Sequence, residues 1–138
     1  MGLFNFGKTF AKFTGEGVER QKVLSAAAAA CALVAYADKK AEPAEREVTL
    51  ALLLRHKKIG NYFEEKEIRG AFNEAMSLVG DVQGQLELRR QVVAMKGTGD
   101  IAQDIYAFGW VVAGEEPNEE EKKVLQTLAE LLDVPANL

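Results

Sequence analysis

Two segments, one in each half of the chain, open a helix in the same way, and this repeat limits the possible folds more than any other feature. The first runs Asp38-Lys39-Lys40-Ala41-Glu42-Pro43-Ala44-Glu45-Arg46-Glu47-Val48. The second runs Gly114-Glu115-Glu116-Pro117-Asn118-Glu119-Glu120-Glu121-Lys122-Lys123-Val124. They lie about 76 positions apart (38 against 114), and each follows a long apolar helix candidate and opens a second, amphipathic one. A repeated unit of helix, acidic turn and helix predicts an all-α domain with internal duplication. No stretch shows the sustained alternation that a half-buried strand requires.

With 138 residues, 48% of them hydrophobic and 28% charged, the chain suits one globular domain with a sizeable core. Its net charge of −4 argues against general affinity for nucleic acid, because phosphate binding needs a concentrated basic surface. Only the N-terminus is mildly basic, with Lys8, Lys12, Arg20 and Lys22 against Glu16 and Glu19. The single cysteine, Cys31, excludes an internal disulfide and a cysteine-rich zinc site. Inside its alanine run it reads as a small buried thiol. That run, Val23–Ala37, is too short and too weakly hydrophobic to span a bilayer. Ala35-Tyr36-Ala37 resembles a small-residue cleavage site, but the stretch before it carries phenylalanines and two glutamates, unlike a basic leader. The expectation is a core helix of a cytoplasmic protein.

Residues 1–18 read as an amphipathic N-terminal segment and 19–138 as the helical domain. Leu3, Phe6, Phe10 and Phe13 share one helical face, with Lys8 and Lys12 on its flanks. Two readings stand: a helix laid on the domain's own core, or an anchor for a partner or a membrane surface. An alanine-rich helix then spans about 19–37, with Val23, Ala27, Ala30 and Val34 in one stripe. So many good helix formers with small side chains suggest a central helix surrounded by neighbours. A third helix starts near Pro43, a favourable first-turn residue, carries Val48, Leu50 and Leu52–Leu54, and stops before Gly60. Further helices are expected over 64–78, 85–96, 100–113 and 119–132, with Gly80–Gly84 breaking the chain between the halves. The Gly97-Thr98-Gly99-Asp100 turn offers a cap through Thr98 or Asp100. The sum is a compact bundle of about seven helices.

Two chemistries compete for the acidic turns. A hard cation needs several carboxylates or carbonyls converging on one space, and Asp38, Glu42 and Glu45 lie where a helix end, a loop and a first turn meet. Glu115, Glu116, Glu119, Glu120 and Glu121 supply still denser charge. Neither turn matches the twelve-residue calcium loop. Capping explains the same residues without metal. Asn118 and Glu121 have the spacing of a capping box, and acidic first turns favour the positive end of the helix dipole.

The pattern around Asp38, Glu42, Pro43 and Glu45-Arg46-Glu47, followed by an apolar helix, resembles the repeated motif of the TerB tellurite-resistance family. The second copy, from Ala113-Gly114 to Glu121, is similar to the same motif, and the resemblance covers roughly residues 19–134. It implies a seven-helix, internally duplicated bundle linked to tellurite resistance, chemical stress, phage defence and complexes near the inner membrane. It also implies a divalent cation, calcium, on an acidic surface. Asp38 and Glu45 match the motif's aspartate and later glutamate, and Glu121 matches that glutamate in the second copy. The chain departs from the pattern at Lys39, where a glycine is usual, and at Gly114, where the second aspartate should stand. One adds a competing charge and the other removes a ligand, so any site is expected to be weak.

Catalytic patterns are not found. His56 is the only histidine and lies on a different predicted helix from Cys31, while phosphate loops and the serine elbow are absent. Arg89-Arg90 with Lys96 reads as a solvated helix face or else a partner contact, and Trp110 with Tyr106 as core or, if one is exposed, as a partner anchor. The expected function is a non-enzymatic interaction or adaptor protein, cytoplasmic or peripheral at the inner membrane. It would engage other proteins through Glu115, Glu116, Glu119 and Glu120 and through the Phe-rich segment, with no nucleic acid or small-molecule substrate. The alternative is a structural or accessory component of a larger particle, such as a phage-encoded one, reusing this fold.

Overall fold

A computed structural model describes residues 17–37, 47–51, 55 and 63–136, with backbone only for 17–20. Five helices are described: α1 (Gly17–Ala35), α2 (Glu65–Leu78), α3 (Val82–Val93), α4 (Asp100–Ala113) and α5 (Glu119–Leu132). Helical backbone is also present at 47–51, and no strand occurs among the described residues. The N-terminal stretch with Leu3, Phe6, Phe10 and Phe13 lies outside them. So do Asp38, Lys39, Glu42, Glu45 and His56.

Helix α1 is the axis of the bundle. It packs against α2, α3 and α4, and also touches α5. Burial does not follow a stripe: Val23, Leu24 and every position from Ala26 to Val34 are buried. A helix apolar on all sides needs neighbours on all sides, and alanine lets their backbones come close. Cys31 is fully enclosed there, and burial pushes its thiol up to about 12. It therefore stays protonated and unreactive in the folded chain.

The surrounding helices are amphipathic and bury the faces their spacing predicts. Ile68, Phe72, Ala75 and Met76 of α2 point inward, as do Leu125, Leu128, Ala129 and Leu132 of α5. Burying each large side chain contributes about 1.5–3 kcal/mol. Glu67 accepts the Glu64 backbone N–H at 3.0 Å, fixing the start of α2. Helix α5 ends on Asp133 in the left-handed conformation, two residues before Pro135.

Several expectations need correction. Helix α3 begins at Val82 rather than near residue 85, because Asp81 caps it by accepting the Gly84 N–H at 2.6 Å. Gly84 is no breaker. A Cβ there would lie 1.6 Å from the Leu78 carbonyl oxygen, so glycine lets α3 start directly against the end of α2. Thr98 does not cap α4: its hydroxyl donates to the Met95 carbonyl at 2.6 Å, and Gly99 occupies the cap position at φ +64°. Leu50 is buried, but Val48 is 61% exposed.

Candidate functional site

The second acidic turn follows from how α4 ends. Gly114 caps α4 at φ 86° and ψ −170°, a backbone region that side chains rarely tolerate. The chain turns over Glu115–Pro117 and restarts at Asn118. The Asn118 side chain accepts the Glu121 N–H at 2.8 Å, and Glu121 Oε1 accepts the Asn118 N–H at 2.9 Å. This reciprocal capping box satisfies two donors that a helix start leaves unpaired. Glu119, Glu120 and Glu121 all fall in the first turn, beside the positive end of the α5 dipole.

Each glutamate of this edge is placed differently. Glu121 is half-buried and committed to the cap. Glu119 faces Lys122 at 3.7 Å. Glu115, Glu116 and Glu120 are exposed and make no ion pair among the described residues. No group of three metal-ligating side chains comes together among the described residues. Gly114 also has a conformational reason to be glycine: the position that lacks the motif's aspartate is one where an aspartate would be strained.

Other features were not legible as such. Asp104 is wholly buried on α4, among Ile101, Ile105 and Phe108. Its position three residues after Ile101 and four before Phe108 was the available signal. Tyr106 is buried as expected, but Trp110 is only half-buried. Its indole N–H is enclosed with no acceptor among the described residues. Gln103, Tyr106, Ala107, Trp110, Val134 and Pro135 line a cleft of about 390 Å³.

Helix α3 turns an apolar and cationic face outward. Val82, Leu86 and Val93 are exposed. Arg90 pairs with Glu87 at 2.6 Å. Hydrogen bonds from Arg90 and then Gln91 hold the Glu87 carboxyl below the usual range. Arg89 and Lys96 are exposed and make no ion pair among the described residues. No helix among the described residues is long and apolar enough to cross a membrane.

An all-α bundle wrapped around one alanine-rich helix, with a capped acidic turn in its second half, defines a class of small helical domain rather than a reaction. The family profile of tellurite resistance protein TerB matches residues 24–137. The chain belongs to the TerB family. No curated protein and no solved structure matches the chain.

Proposed function

We propose that this chain is a non-enzymatic interaction module of the TerB family, acting as an adaptor in a tellurite- or stress-response assembly. The acidic edge of α5 is its docking surface. The observation that carries this reading is the arrangement of the edge: Glu121 is spent on the cap, while Glu115, Glu116 and Glu120 project into solvent without ion pairs among the described residues. Charged rims of this kind steer partners and set specificity. Calcium enters as a weak modulator, held through the first-copy motif residues Asp38, Glu42 and Glu45, since Glu121 is committed to the cap. The module works in the cytoplasm or at the inner membrane surface, where the Phe-rich N-terminal face supplies a second contact.

The test is recovery of bound proteins from tellurite-challenged cells with the intact chain, in calcium and in chelator. The variant carries Glu115→Lys, Glu116→Lys and Glu120→Lys. A small partner set that dissociates reversibly and is lost in the variant supports the reading. Recovery of a fixed stoichiometric particle, indifferent to both calcium and the variant, would replace it with the structural-component alternative.

A further inference from the structure

Helix α3 carries a second surface whose chemistry is the inverse of the acidic edge. Val82, Leu86 and Val93 are separated by four and seven residues, which places them on one side of the helix. They are 72%, 53% and 41% exposed. Leu88 and Val92 are fully buried on the inward side, and they rather than the outer three seat α3 on the core. Single exposed apolar residues are ordinary, but three aligned over roughly 16 Å of helix make a patch.

Arg89 stands within this patch, three residues after Leu86 and four before Val93. Its neighbour Arg90 is neutralised by Glu87 at 2.6 Å, whereas Arg89 makes no ion pair among the described residues. Lys96, in the turn beyond α3, is likewise exposed and without an ion pair among them. Arg89 also borders a cleft of about 130 Å³ floored by Leu33, Val79, Val124 and Leu128. Gln85 forms part of the same wall and is tied to the Val79 carbonyl at 2.8 Å. A space of this size takes one benzene-sized group, such as a leucine or phenylalanine side chain.

We propose that the α3 face docks an acidic amphipathic helix of a partner protein, with one apolar side chain entering the cleft beside Arg89. Charge complementarity selects the occupant: carboxylates would pair with Arg89 and Lys96 while an apolar stripe covers Val82, Leu86 and Val93. A second copy of this chain fits less well. Its own acidic turn has only Pro117 as an apolar side chain between Gly114 and Lys123. The surface extends the interaction-module reading to another face, and its test uses the purified chain alone, so either reading can fail while the other stands.

The experiment selects from a display library of random peptides about 15 residues long, near the length at which isolated helices become marginally stable. A selected peptide is then titrated into the intact, isotope-labelled chain and followed by amide shifts. The expected pool is rich in Asp and Glu flanking Leu, Ile or Phe at three- and four-residue spacing. The expected shifts fall on residues 82–93 and 124–128. Arg89→Glu and Leu86→Asp should each weaken binding about tenfold, with Arg89→Lys retaining most of it. Both sites are exposed, and circular dichroism checks that the variants remain folded. Failure to recover binders, a pool without acidic residues, shifts confined to other surfaces, or full binding by Arg89→Glu would each overturn the proposal. Self-association abolished by Leu86→Asp would also overturn it, because the occupant would then be a second copy.

Discussion

The acidic edge and the α3 face carry charge of opposite sign, but the deeper difference is what that charge already does inside the molecule. At the edge, the carboxylates serve the fold. Glu121 closes the capping box with Asn118, Glu119 sits within reach of Lys122, and all three first-turn glutamates lie at the positive end of the α5 dipole. On α3, Glu87 takes up Arg90, and Arg89 is left among exposed apolar side chains. Dense charge at a helix start therefore marks a docking surface only where cap and ion pair leave it unused, as at Glu115, Glu116 and Glu120. On α3 a cation stands beside uncovered apolar surface, a combination that no ion pair among the described residues accounts for.

The largest test of this contrast lies at the root of α3. Gly84→Ala places a methyl group 1.6 Å from the Leu78 carbonyl oxygen, so the junction between α2 and α3 must move. The expected cost is about 3 kcal/mol or more, measured by urea unfolding. It should distort the α3 face while leaving the edge intact. A loss below about 1 kcal/mol would mean that the junction has more slack than the geometry allows.

A smaller effect is expected where the edge begins. Gly114→Asp supplies the carboxylate that the family motif carries there, in open space but at φ 86°. The strain should cost about 1–3 kcal/mol in the same unfolding measurement. Calcium calorimetry should show no tightening. A stable variant with clearly stronger calcium binding would instead make the edge a metal site short of one ligand.

Smaller again is the loss on Asn118→Ala, about 1 kcal/mol from removing the side-chain acceptor of the Glu121 N–H. No change in melting temperature would detach the edge glutamates from any capping role. The smallest effect belongs to Leu86→Asp. With the side chain 53% exposed, stability should stay within about 0.5 kcal/mol of the parent. A large loss would show that the α3 face is part of the core after all.

Much of the bundle was legible because apolar spacing and caps agree. The α5 capping box follows from Asn118 and Glu121 alone, and the buried side of α2 from Ile68, Phe72, Ala75 and Met76. What was lost depended on neighbours in space. Gly84 reads as a break in one dimension, yet it is demanded by the approach of Leu78 in three. Leu86 and Val93 are apolar like the buried Leu88 and Val92, and composition cannot tell which side of α3 is covered. Asp104 had the spacing of a buried position, but its polarity hid it. The absence of an aspartate at 114 was visible as a departure from the motif, while its conformational reason was not. The first-copy residues Asp38, Glu42 and Glu45 lie outside the described residues.

The most direct test compares the proteins recovered by three forms of the intact chain. These are the parent, an edge variant with Glu115→Lys, Glu116→Lys and Glu120→Lys, and a face variant with Leu86→Asp and Arg89→Glu. Two independent docking surfaces predict that each variant loses partners which the other keeps. If both variants retain the parent's full set, neither surface is an interface, and the account of this chain as an interaction module is contradicted.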